Sequence, residues 1–343
     1  MTFSGAGART PPTLEAVAAR AGVSRATASR VLRGAANVSE RARAAVLAAA
    51  EEVSYAPNRA ARSLVTGRSD SVAFLVAESE DRMFSDPFFL NMLRGAQAAV
   101  AERDVQLVFT VASTESEHRR FVHYAAGGHV DGVLLLSLHD QDALPQELES
   151  QGVPTVLSGR PFVAGEGLYY VDSDNVGGAE LATRHLIGTG RRRIATITGP
   201  QDMCAGQDRL AGYRSALTEA GLRPDDGVIR DGRFTAAGGY AAMAALLQAD
   251  PTIDAVFAAS DLTALGAMRA IEAAGRRVFD DIAVIGFDDI GEALLAHPPL
   301  TTVRQPIFEL GRTMAERLLE RIGGQDPRRA TVLPVELVVR ETA

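Results

Sequence analysis

The sequence predicts an α/β chain with a small all-helical unit at its N-terminus, followed by two lobes, each a doubly wound parallel sheet. Three observations predict this. Residues 13–53 hold three short helical stretches punctuated by a glycine turn and serine caps. From residue 71 onward, short apolar runs alternate with helical stretches, and the alternation comes in two successive series. A length of 343 residues leaves room for a small domain and one or two larger ones, each with its own core.

In the N-terminal unit, Thr13 has the position of a helix N-cap, and Leu14, Val17, Ala18 and Ala21 fall on one face at helical spacing. Gly22 ends that helix. Ser24 is placed to cap a second helix running through Arg33, with Ala28, Val31 and Leu32 as its buried side, and Ser39 caps a third helix running to about Val53. Helix, glycine-containing turn and second helix make the helix-turn-helix plan, whose second helix enters the major groove of DNA. The outward residues of that helix are Arg25, Ala26, Ser29 and Arg30. Arg makes bidentate contacts to guanine O6 and N7, whereas Ser, Thr and Asn suit phosphate oxygens. Taken alone, the pattern is also that of an amphipathic helix pair that merely packs.

Charge sharpens the choice. The whole chain carries −8, yet residues 1–68 hold ten Arg against four Glu, a charge of +6 that leaves −14 for the remainder. A basic module on an acidic body suits phosphate contact at one end and repulsion elsewhere. The chain contains no lysine, a feature of coding bias rather than function.

In the body the first series reads VAFLV, a helix from Phe88, VQLVF, a helix from Glu115, GVLLL, a helix near Ala143, and PTVLS. The second reads a helix from Val176, RIATIT, a helix from Asp208, GVIR, a helix from Ala236, AVFAAS, a helix from Leu262, and IAVIGF. Open parallel sheets bind ligands beyond the carboxyl ends of their strands. The residues there are Glu78, Arg160, Arg209, Phe234, Ser260 with Asp261, and Asp288 with Asp289. Carboxylates, guanidinium groups and an aromatic face converging on a cleft suit a sugar, with charged groups binding hydroxyls and the ring covering an apolar sugar face. Each has a plainer reading. Asp261 reads mainly as the cap of the helix behind it, Asp289 as a cap at its own turn, and Arg160 as one half of an inter-lobe ion pair.

Other classes lose ground on composition and motif. Apolar runs such as Val133–Leu136 are far too short to span a bilayer, and the first residues lack an apolar stretch of signal-peptide length, so a cytoplasmic protein with no membrane partner is expected. A lone cysteine, Cys204, excludes an internal disulfide, and six unpaired His give no metal spacing, so no metal and no cofactor are expected. No GxGxxG, P-loop or nucleophile elbow follows a strand, which argues against an enzyme.

The stretches AVAARAGVSRATASRVLRG and VSERARAAVLAAAEEVSYAPNRAARSL resemble the DNA-binding headpiece of the LacI/GalR family of bacterial repressors. VDSDNVGGAELATRHL, GRRRIATITGP, DRLAGYRSAL, AVFAASDLTALGAMRAI, DIAVIGFDD and PPLTTVRQP are similar to the family's effector-binding core, itself like periplasmic sugar-binding proteins. The resemblance covers nearly the whole chain after residue 12. It implies a flexible tail over residues 1–12, a helix-turn-helix domain over 13–57, a hinge helix and linker over 58–68, and a two-lobed periplasmic-binding-protein-like body over 69–343. The lobes would be about 70–166 with 301–328, and about 167–300 with 329–343.

The resemblance also implies roles. Arg25 and Ala26 choose operator bases, Arg30 is a general groove contact, and Thr13, Ser24, Thr27, Asn37, Tyr55 and Asn58 fix the DNA backbone. Leu64 matches the residue that wedges a base step open from the minor groove, while as a plain linker residue it would pack on the body. Arg209, Phe234, Ser260 and Asp288 match effector contacts, with Arg160 and Glu78 as further candidates. Ala28 and Arg33 depart from the family's usual Val and Asn, and Ser260 replaces the Asn found in some members. The implied function is a dimeric repressor of carbohydrate uptake or catabolism genes, released from a near-palindromic double-stranded operator by a mono- or oligosaccharide. A purine or other metabolite acting as co-repressor, and a sugar-transport binding protein, are the competing readings.

Overall fold

A computed structural model describes residues 12–32, 35, 37–55, 67–140, 142–162 and 167–343. The chain forms two units, residues 1–69 and 70–343. Asn58, Leu64, Arg33 and most of the expected hinge segment lie outside the described residues.

The first unit is built from α1 (Leu14–Ala21), α2 (Arg25–Leu32) and α3 (Glu40–Glu52). All three starts use the side chains expected of them. Thr13 accepts from the Ala16 amide at 3.3 Å, Ser24 from Thr27 at 3.1 Å and Ser39 from Ala42 at 3.4 Å. Each satisfies one of the amides that a helix N-terminus leaves unpaired. Gly22 closes α1 with φ 66°, a left-handed conformation that glycine adopts without strain. Val17, Ala18, Ala28, Val31, Val46, Ala49 and Ala50 form the core, with Leu14, Leu32 and Tyr55 partly buried against it.

In the second unit the strands are β1 (Ser71–Val76), β2 (Gln106–Val111), β3 (Val133–Leu136), β4 (Thr155–Ser158), β5 (Tyr169–Ser173), β6 (Ile194–Thr198), β7 (Ile229–Asp231), β8 (Ala255–Ala258), β9 (Ala283–Asp288), β10 (Thr301–Arg304), β11 (Ala330–Leu333) and β12 (Glu336–Val338). One sheet runs β11-β5-β4-β3-β1-β2 and the other β12-β10-β9-β8-β6-β7. Among the described residues every strand pairing is parallel except β10 with β12. Central strands such as VLLL and AVFA are buried at every position, because helices cover both faces of each sheet. Four apolar clusters result, two per lobe, one on each face of each sheet.

The lobe boundaries differ from the expected ones. β5 and β11 pair within the first sheet, whereas β10 pairs with β9 in the second. The first lobe therefore comprises residues 70–173 with 307–333, and the second 175–304 with 336–343, the chain crossing three times. The helix Ile307–Ile322 returns to the first lobe and packs on Pro87–Ala101. Gly95 permits that contact, since a Cβ there would lie 1.9 Å from the Phe308 carbonyl oxygen.

Two local expectations are corrected. Asp261 is not the cap of the helix Asp261–Ala273. Ser260 is, accepting from the Thr263 amide at 3.2 Å, while Asp261 is fully buried and accepts from Thr302 Oγ1 and the Ile290 amide. Asp289 caps no helix either. Its carboxylate is held by Arg304 and Arg340.

Candidate functional site

In the first unit α2 presents Arg25, Ala26 and Arg30 to solvent, with Thr27 and Ser29 partly covered. The Ser24 and Thr27 hydroxyls lie 2.9 Å apart, and both Thr13 and Ser24 Oγ atoms accept amide bonds. A hydroxyl that accepts from an amide still has its proton to donate, so these caps remain fit to bind a phosphate oxygen. Asn37 is exposed, whereas Tyr55 is partly buried against the core. Arg25 Nε sits 2.7 Å from Glu15 Oε1, both side chains mostly exposed. Such a pair is weak in water and readily exchanged for a base edge. Arg20 is held against α3 by Glu52, which removes it from the outward face.

In the second unit a cleft between the lobes encloses about 810 Å³ of empty space, its open mouth included. Arg209, Phe234, Ser260, Asp288 and Arg160 line it, as do Arg82, Asp86, Asp172, Asn175 and Gln305. The strand ends and helix starts of both lobes supply these groups, as expected for parallel sheets.

Arg209, on the helix Cys204–Glu219, is 5% exposed. Its Nε donates to Asn175 Oδ1 at 2.9 Å, one terminal nitrogen donates to the Ala259 carbonyl, and that nitrogen lies 3.6 Å from Asp288 Oδ1. The guanidinium also lies 3.6 Å from the centroid of the Phe287 ring. Burial lowers the Arg209 pKa and Asp288 opposes the shift. Asp288 ends β9 with φ 120°, and Asp289 follows at φ 59°. This turn aims the Asp288 carboxylate at Arg209 and at Gln305 Nε2, which donates at 2.6 Å. Burial pushes Asp288 up to about 7, with Arg209 pulling the other way. Two more carboxylates complete the floor. Asp86 caps the helix Pro87–Ala101 through Phe88, and Asp172 accepts from Asn175, the Ser173 amide and the Arg160 amide. Burial raises both.

Phe234 supplies the aromatic face. Arg233 and Phe234 both have φ 53°, and Gly199 makes room for the ring, because a Cβ there would lie 2.0 Å from Phe234 Cζ. Arg82 from the first lobe and Arg209 from the second each lie 5.5 Å from the ring centroid. A flat apolar ring beside carboxylates, amides and guanidinium groups suits a polyhydroxylated ligand with one apolar face. The Cys204 thiol is pushed up to about 11 by burial, and among the described residues no group of His, Cys, Asp and Glu is placed to hold a metal ion.

Two sequence candidates stand differently. Arg160 lines the cleft, yet its fork is taken by Asp208 of the other lobe, with Nε donating to Oδ2 at 3.0 Å. This is the inter-lobe ion pair that was its plainer reading. Glu78 does not line the cleft and lies behind it, accepting from Ser137 Oγ at 2.8 Å. Asp86, Asp172, Asn175, Gln305 and Arg82 escaped sequence reading. Asp86 stands in the sequence as a carboxylate before Pro87 and Arg82 lies on the short helix Glu80–Ser85 after β1, whereas Asp172, Asn175 and Gln305 depend on where β5 and β10 end.

A basic helix-turn-helix unit attached to a two-lobed, ligand-binding α/β body defines a ligand-responsive DNA-binding regulator. Residues 13–58 match the profile of bacterial regulatory proteins of the lacI family, and residues 183–343 that of a periplasmic binding protein-like domain. The HTH-type transcriptional regulator CelR of Thermobifida fusca is 51% identical over 97% of this chain and 99% of its own. The ribose operon repressor of Escherichia coli strain K12 is 37% identical over 90% and 93%. Among solved structures, a CelR–cellobiose complex is 49% identical with a TM-score of 0.78, covering 97% of this chain and all of that one. A lac repressor dimer bound to operator and an anti-inducer is 30% identical with a TM-score of 0.85, over 97% and 99%. The chain belongs to the lacI family of bacterial transcriptional regulators. Among the described residues no helix is long and apolar enough to cross a membrane.

Proposed function

We propose that this regulator is a cytoplasmic, non-enzymatic repressor of carbohydrate uptake or catabolism genes that leaves its operator when cellobiose or a closely related disaccharide enters the cleft. One observation carries the reading: a buried Arg209–Asp288 pair beside the Phe234 ring lines the cleft between the lobes, in a chain 49% identical to a regulator solved with cellobiose. Arg25 and Ala26 read bases, Arg30 contacts the groove, and Thr13, Ser24, Thr27, Ser29, Asn37, Tyr55 and Asn58 hold the backbone. A C2 dimer carries two recognition helices, so the operator is a near-palindrome. A hinge over residues 58–68 folds on DNA and inserts Leu64, a stretch too short to persist as a helix alone.

The sugar acts by linkage, through its different affinity for the operator-bound and released states, a coupling commonly worth about 1–3 kcal/mol. Calorimetric titration with cellobiose, ribose and a purine, repeated with operator bound, tests this. Cellobiose is expected to bind free protein and to weaken the operator complex. Binding of the purine alone, with a tightened operator complex, would replace the inducer reading with a co-repressor one.

A further inference from the structure

We propose that Glu78 is the anchor of a clasp that holds the two lobes together across the effector cleft, working through Arg82 and His139 as its arms. The inference rests on the reading of the cleft as the effector site. Glu78 stands just beyond β1 with 12% of its side chain exposed, and three groups converge on its Oε1: Ser137 Oγ at 2.8 Å, Arg82 Nε at 3.2 Å and His139 Nε2 at 3.7 Å. All four residues belong to the first lobe. Each arm then reaches the second lobe. Arg82 donates to the Arg233 carbonyl at 2.8 Å and lies 5.5 Å from the Phe234 ring centroid. His139 Nδ1 lies 2.8 Å from Asp202 Oδ2, where it must be the donor because a carboxylate only accepts, and the next amide, Asp140, donates to the Asp202 carbonyl at 2.9 Å.

One largely buried carboxylate thus lies within ion-pairing distance of two side chains that bridge the lobes at different points of the cleft, holding them by charge and not by hydrogen bonds. Glu78 is a positioning residue. Its Oε1 is engaged within the first lobe and it does not line the cleft, so it acts on a sugar only through its neighbours. Its effect on the effector is on population: the apparent Kd equals the intrinsic value divided by the fraction of molecules in the binding-competent arrangement. A clasp that favours closure before the sugar arrives raises that fraction. Loosening it weakens sugar binding without removing any side chain that lines the cleft.

Distance measurement by double electron–electron resonance tests this on the full chain, diluted with unlabelled protein, with nitroxides at Glu115→Cys and Ala237→Cys. Both positions are exposed and lie on helices that follow strand ends, one in each lobe. Cys204 is buried and stays unlabelled. Without sugar, E78Q is expected to lengthen and broaden the distribution, and D202A, a change on an exposed loop that removes the His139 link alone, to do so less. Cellobiose binding to E78Q is expected to be weaker by about fivefold or more, with saturating sugar restoring the short distance. Wild-type distributions in both variants would overturn the clasp. Lengthened distributions in a protein that fails to bind cellobiose would leave the clasp standing and remove the sugar assignment instead.

Discussion

Arg209 and Asp288 face each other 3.6 Å apart at the floor of the cleft, one from a helix start and one from a strand end, and both are nearly inaccessible to solvent. Neither is there for stability alone. A buried pair gains about as much from attraction as it loses by desolvation, but removing one member strands the other and costs about 3–5 kcal/mol. Asp288→Ala is therefore expected to lower the unfolding midpoint measurably and to abolish the sugar response. Operator affinity without sugar should stay at the wild-type level, because the headpiece is untouched. Electrophoretic mobility shifts with and without cellobiose check this, and a variant still released by the sugar would remove Asp288 from the site.

Arg25 is the outward arginine at the start of α2, and its partner Glu15 is exposed enough to let it go. Arg25→Ala is expected to relax base choice at one position of each operator half-site, at about 1–3 kcal/mol. Selection from a randomised operator library reads this directly. The folded headpiece should be unaffected, since exposed ion pairs contribute at most about 1 kcal/mol. Unchanged base preference would assign reading to other residues.

Leu64 lies outside the described residues, and the role proposed for it rests on the likeness of the chain to lacI-family regulators. Leu64→Ala is expected to weaken specific operator binding while leaving nonspecific binding intact, because unstacking a base step is worthwhile only where the bend brings further contacts. Titrations on operator and on random duplex at one salt concentration give the ratio. Equal losses on both would make Leu64 a linker residue.

Much of this was legible in the sequence, for identifiable reasons. Thr13, Gly22, Ser24 and Ser39 specify the headpiece helices locally, so their caps appear where the residue types put them. Strands such as β3 and β8 are unbroken apolar runs, which only a doubly covered parallel strand needs. The misplaced lobe boundary has the opposite cause. β5, β10 and β11 read YYVDS, TTVR and ATVL, mixed segments whose sheet membership is settled by partners more than a hundred residues away in β5–β11 and by the crossings between lobes. Asp172, Asn175 and Gln305 sit at those crossings and were missed with them. Glu78 follows a strand in the sequence, but whether its carboxylate faces the cleft or the residues behind it is decided by Ser137 and His139, which come from another strand end.

His139 gives a pH dependence with a definite sign. The Glu78 carboxylate 3.7 Å away raises its pKa, burial opposes this, and Asp202 adds to it, so that the imidazole is pushed up to about 9. The Glu78 carboxyl, although burial raises it, is held below its ordinary range by His139, Arg82 and Ser137. The other charged group at hand, Asp142, takes the His139 backbone amide. A histidine that binds its proton more tightly when folded adds stability in full below its ordinary value of 6.5, and that contribution disappears as pH rises through about 9. Wild-type protein should therefore be more stable than His139→Gln below neutrality, with the gap narrowing steadily as pH rises through about 9. Because His139 is about one-third exposed, solvent screening trims the effect and added salt should shrink it further. Thermal unfolding of both proteins across that range reads the gap. A difference that stays constant with pH would show that the imidazole fills space there without carrying charge.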